Sequence, residues 1–132
     1  MSELIETKKA TENKKHNRVK HEKLNLKLTK TQRAFMDAQA DEVLFGGAAG
    51  GGKSYGQLVD ALVYALKYPK SKQLILRKTY PELEHSLILT SLEFYPKSVC
   101  RYSSSAKKWF FANGSVIEFG YCASKTDVIR YQ

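Results

Sequence analysis

Residues 47–54 read GAAGGGKS, a run of small residues that closes on Gly52, Lys53 and Ser54 and matches the pattern G-x-x-x-x-G-K-[ST]. Glycine loses more backbone freedom on folding than any other residue, so such a cluster destabilises its segment unless the unusual geometry is used. A loop that wraps a phosphate uses it: successive N–H groups point inward, positive φ values are required, and no side chain stands in the way. The helix that follows aims its first N–H groups at the same anion. A lysine in that first turn is opposed by the helix dipole unless an anion is present, so Lys53 suits a phosphate-binding turn better than an empty one.

The flanks supply the context that this motif needs. Val43, Leu44 and Phe45 form a short apolar run ended by glycine, which predicts a buried strand of a parallel sheet. From Ser54 to about Tyr68, Leu58, Ala61, Leu62, Ala65 and Leu66 recur at helical spacing, and the pattern stops before Pro69. Residues 73–78, QLILRK, predict a second buried strand; Pro81 then suits the first turn of a helix running to about Tyr95. Ahead of the loop, Thr29 and Gln32 have the spacing of a capping box that opens a short helix. Helix, strand, glycine loop, helix, strand, helix is the order of an α/β fold with a parallel sheet flanked by helices.

The character changes in KKWFFANGSVIEFGY, where Asn113-Gly114 separates two runs of aromatic and β-branched residues. That dipeptide predicts a hairpin with a two-residue turn, which sets Phe111 opposite Val116 and Phe110 opposite Ile117. Both faces of the hairpin would then be apolar and in need of cover. At the end of the chain, Ser124 is positioned to cap a further helix.

The chain has 132 residues and carries 22 Lys and Arg against 13 Asp and Glu, a net charge of +9 that favours a polyanionic partner. Residues 1–23 hold seven basic and four acidic residues, no aromatic and little apolar periodicity, and are expected to form a mobile basic arm ahead of a domain spanning 24–132. The arm reads either as a DNA or partner contact or as a solvated tail. Cys100 and Cys122 belong to no CxxC or His-containing cluster, and the longest apolar run is far short of a membrane span. A cytoplasmic protein without a structural zinc or a membrane partner is expected.

The motif assigns candidate roles. Gly47, Ala48, Ala49, Gly50, Gly51 and Gly52 supply the cradle, Lys53 reaches the β- and γ-phosphates of ATP, and the Ser54 hydroxyl ligates Mg²⁺. Gln32 either reaches back to the adenine edge or serves only its own capping box. Arg77 ends the second strand at the carboxyl edge, where ligands bind in open α/β sheets; it touches phosphate or DNA there, or is a solvated strand end. Glu82 and Glu84 fit a helix dipole, and Trp109 with its neighbouring phenylalanines fits a core.

The segments LTKTQRAFMDAQADEVLFGGAAGGGKSYG, LILRKTYPELEHS and WFFANGSVIEFGYC together resemble the large subunit of tailed-phage terminases, from about Leu26 to Gln132. The resemblance implies the N-terminal portion of a P-loop ATPase domain of the RecA or ASCE type, with a β-hairpin insertion, belonging to an ATP-driven motor that packages viral DNA. It implies double-stranded DNA, a terminase small subunit and a portal protein as partners, homo-oligomerisation of the full-length chain, and residence in the cytoplasm of an infected or lysogenic bacterium. Gly47, Gly52, Lys53 and Ser54 correspond to the family's phosphate loop and Gln32 to its adenine-contacting glutamine. Arg77, Tyr80 and Leu83 match the stretch after the second strand, and Lys53 and Arg77 are the candidate catalytic residues.

Two departures qualify the likeness. Many terminases carry an arginine inside the loop, where this chain has Ala48, Ala49, Gly50 and Gly51. No apolar strand ending in Asp-Glu follows the loop, so the resemblance implies a fragment that binds ATP without hydrolysing it alone. The alternative is a non-catalytic nucleotide- or nucleic-acid-binding adaptor that retains the loop.

Overall fold

A computed structural model describes residues 2–10, 19–44, 46 and 52–131. Two compact units, residues 1–63 and 64–132, divide the chain within its longest helix.

In the first unit, strands β1 (Ser2–Ala10) and β2 (Val19–Lys27) pair antiparallel. Residues 2–10 and 19–23 of the segment expected as a basic arm lie in these two strands. The register sets Ile5 opposite Leu24 and Glu6 opposite Lys23. Helix α1 (Lys30–Asp37) starts where the capping box predicts: Thr29 Oγ1 accepts from Gln32 N at 3.2 Å, and Gln32 Oε1 accepts from Thr29 N at 2.9 Å. Helix α2 (Lys53–Lys67) follows the glycine loop and buries Leu58, Val59, Ala61, Leu62 and Ala65 along one side, close to the predicted stripe.

The strand expected at Val43–Phe45 is not formed over its described part. Val43 and Leu44 lie outside any strand, and Leu44 is 96% exposed. Among the described residues no strand pairs with them, and an apolar run without a ladder partner has no means of satisfying its backbone as a strand. Phe45 lies outside the described residues.

The second unit is built on a mixed four-stranded sheet ordered β3-β6-β5-β4, with β3 at Lys72–Arg77, β4 at Cys100–Ser103, β5 at Lys108–Phe111 and β6 at Val116–Tyr121. Only β3 and β6 run parallel; the other neighbours are antiparallel, so the sheet is α/β in connection without being the purely parallel one expected. β3 lies at one edge. That position explains why the second predicted strand forms while only Ile75 of its residues is buried and Leu74 and Leu76 stay exposed.

Between β3 and β4 the chain forms α3 (Tyr80–Leu83), a π-helical turn (Glu84–Ile88) and α4 (Leu89–Phe94). Pro81 sits in the first turn as predicted, and Thr79 and Glu82 close a capping box. This layer and one sheet face share a core of Leu83, Leu87, Ile88, Tyr95, Trp109, Phe111, Ile117 and Phe119. Trp109 is 1% exposed, and its indole N–H donates to Ser91 Oγ at 2.9 Å while Ser91 donates to the Ile88 carbonyl at 2.8 Å. The one buried indole N–H is thereby satisfied without opening the core to water.

The hairpin forms at Asn113-Gly114 with a different register from the predicted one. Phe111 N donates to Ser115 O at 2.9 Å and Gly114 N to Phe111 O at 3.0 Å, a three-residue loop with Gly114 at φ +88°. Phe110 consequently opposes Val116, and Trp109 opposes Ile117. The shift sorts the faces: Trp109, Phe111, Ile117 and Phe119 point into the core, while the Lys108–Glu118 ion pair, 3.7 Å, lies on the other side. The last segment is a 3₁₀ helix, Lys125–Tyr131, with Ser124 N and Ala123 N donating to Asp127 Oδ2 at 3.0 and 3.1 Å.

Candidate nucleotide site and the two ends of its helix

Of the loop residues assigned to phosphate, Gly47, Ala48, Ala49, Gly50 and Gly51 lie outside the described residues; Gly52, Lys53 and Ser54 are described. Gly52 has φ +76°, the left-handed conformation that the motif asks of its last glycine, and α2 begins at the next residue. Lys53 and Ser54 therefore occupy the first turn of a 15-residue helix, both half-buried.

Gln32 is brought to the same place. It is 4% exposed, and its Nε2 donates to the Gly52 carbonyl at 2.9 Å. That carbonyl also accepts from Gly56 N at 2.9 Å, the first-turn helical bond. Gln32 thus ties α1, through the Thr29 capping box, to the residue that turns the loop into α2. A Cβ on Gly52 would lie 2.5 Å from Gln32 Nε2, so any side chain there would push the amide off the Gly52 carbonyl as well as strain the left-handed backbone. The spacing of Thr29 and Gln32 gave the capping role; a bond spanning twenty residues leaves no local signal and could not be read from it.

Arg77 belongs to the second unit. Its Nε lies 3.5 Å from Ser86 Oγ, a weak bond by length, and Ser86 in turn donates to the Glu82 carbonyl. The Arg77 carbonyl accepts from Cys122 N at 2.8 Å. Glu82 serves the Thr79 cap as well as the first-turn dipole position that its sequence suggested.

The C-terminal end of α2 is closed by the hairpin turn. Asn113 Nδ2 donates to Ala65 O at 2.8 Å, and Ser115 Oγ lies 2.8 Å from Ala65 O and 2.9 Å from Tyr68 O. These carbonyls belong to the last helical turn and the residue after it, where intrahelical donors run out. Ser115 is fully buried and also accepts from Ser71 N at 3.2 Å. Asn113 of the Asn-Gly turn signal, together with Ser115, is therefore also a helix cap, which explains why the loop takes the register it does.

Among the described residues no cluster of His, Cys, Asp and Glu could hold a metal ion, and no helix is long and apolar enough to cross a membrane. Burial raises the Asp60 carboxyl on α2 above its ordinary range and pushes the Cys100 thiol up to about 12, which makes Cys100 an inert core residue. Comparison with protein-family models, with curated proteins and with solved structures gave no match.

Proposed function

We propose that this chain binds ATP with Mg²⁺ and forms part of the ATPase of a viral DNA-packaging motor, the N-terminal portion of a terminase large subunit. The observation that carries the nucleotide reading is Gly52, left-handed and pinned by Gln32, leading directly into a helix whose first two residues are Lys53 and Ser54. That arrangement fits a phosphate: a backbone turned by glycine, a cation in the first turn and a hydroxyl beside it. The motor assignment rests on the resemblance of the flanking segments, and with it come double-stranded DNA, the small subunit and the portal as partners.

In this reading Lys53 neutralises the β- and γ-phosphates, Ser54 offers its hydroxyl to Mg²⁺, and Gln32 holds the turn in place. Bound Mg²⁺ supplies charge neutralisation at the phosphate oxygens. Arg77 is the candidate second cation toward phosphate or DNA. The sequence after the loop has no apolar strand ending in Asp-Glu, so nucleotide binding without turnover is the activity expected of this chain by itself.

Titration with a fluorescent ATP analogue tests the proposal. Saturable, Mg²⁺-strengthened binding that Lys53→Ala abolishes, with the helical circular dichroism unchanged, is the expected result. Binding of equal affinity in Lys53→Ala, or none in the native chain, refutes the nucleotide reading.

A further inference from the structure

The turn that follows α2 places a lysine in an unfavourable backbone conformation. Ser71 N donates to Tyr68 O at 3.3 Å, and within that turn Pro69 is followed by Lys70 at φ +62°. Glycine or asparagine is the ordinary choice there, because a Cβ is strained at positive φ. Strain retained at a surface residue points to a use for its side chain.

The neighbours of Lys70 share that use. Tyr64 and Lys67 lie in the last turn of α2 and Tyr68 directly follows it, its N–H donating to Tyr64 O at 3.0 Å; all three are exposed. Tyr64 and Tyr68 are each 47% exposed, with ring centroids 4.7 Å apart, and Lys67 Nζ lies 5.4 Å from the Tyr68 ring. Lys72, also exposed, follows at the start of β3. No acidic residue occurs anywhere from Ala61 to Pro81. The carbonyl bonds from Asn113 and Ser115 hold this helix end in place, so the cations and rings are presented on a fixed backbone.

We propose that Tyr64, Lys67, Tyr68, Lys70 and Lys72 form a binding surface for single-stranded nucleic acid. The three lysines track the phosphate backbone, and the exposed tyrosine pair stacks on unpaired bases. Exposed rings stack on bases that are already unpaired, which a single strand offers and a duplex does not, so a single strand fits better than double-stranded DNA. This surface goes beyond the nucleotide reading and does not depend on it.

Fluorescence anisotropy of the full chain with three labelled probes tests it: the 20-mer dT20, an abasic 20-mer of the same charge, and a 20-base-pair duplex. We expect dT20 to bind at least about tenfold more tightly than the abasic strand, in line with the worth of base–aromatic stacking. Tyr64→Ala with Tyr68→Ala should erase that preference, the corresponding phenylalanine pair should keep it, and ATP binding should be unchanged in both. Lys67→Ala, Lys70→Ala and Lys72→Ala together should weaken dT20 and abasic binding alike and lower the slope of log K against log salt by about 2. Equal affinity for dT20 and the abasic strand, tighter binding of the duplex, or an unchanged affinity in the tyrosine variant overturns the proposal.

Discussion

The two ends of α2 are fixed by side chains from distant parts of the chain, and they are fixed differently. At the C-terminal end, Asn113 and Ser115 occupy the carbonyls of Ala65 and Tyr68, groups that lack partners within the helix. At the N-terminal end, Gln32 donates to the carbonyl of Gly52, which already accepts the first helical bond from Gly56. The first is closure. The second sets the direction of the backbone without using up a helix amide. In the proposed reading, the steered end is the one that meets the phosphate.

Gly52→Val tests the steered end most severely. It forces a β-branched residue into φ +76° and drives a Cβ against Gln32, so stability should fall by about 2 kcal/mol or more and ATP affinity should be lost. Urea unfolding and nucleotide titration read the two effects; retained affinity would mean that the turn is not part of the site. Ser115→Ala addresses the sealed end. It leaves buried carbonyls with fewer donors and should cost about 1–3 kcal/mol while ATP affinity in the folded protein stays the same. A parallel drop in affinity would erase the distinction between the ends.

The smallest expected change is a gain. Lys70→Gly removes the left-handed strain of a lysine and adds the flexibility of a glycine, for a net stabilisation of about 0.5 kcal/mol. A higher thermal midpoint accompanied by weaker dT20 binding would show that the residue is kept at some cost to the fold. A lower midpoint would mean that the lysine stem stabilises the turn through its contact beside Gly114.

What could be read in advance follows from the range of each interaction. The Thr29–Gln32 box, the helix from Lys53 and the proline at the start of α3 are local devices, and each lies where the residues put it. The hairpin was legible as a hairpin, but its register was not: Asn113 and Ser115 are engaged with Ala65 and Tyr68, more than forty residues away, and that engagement favours the three-residue loop. Val43 and Leu44 show the opposite failure, since an apolar run states a preference for burial but cannot supply the neighbouring strand. At the candidate site, Lys53 and Ser54 came from a motif, whereas the Gln32–Gly52 bond and the left-handed Lys70 are products of tertiary packing.

One side chain near the end of the chain imitates a strand. The Tyr131 hydroxyl accepts from Tyr121 N and donates to Tyr121 O, each at 3.0 Å, where β6 has outrun its pairing with β5. Its ring lies so close over Gly120 that a Cβ there would collide with the phenolic oxygen. A single phenol thus acts as punctuation for the ladder: it spends the donor and the acceptor that an incoming chain would need to add itself at that rung, and Gly120 is the notch that lets it do so.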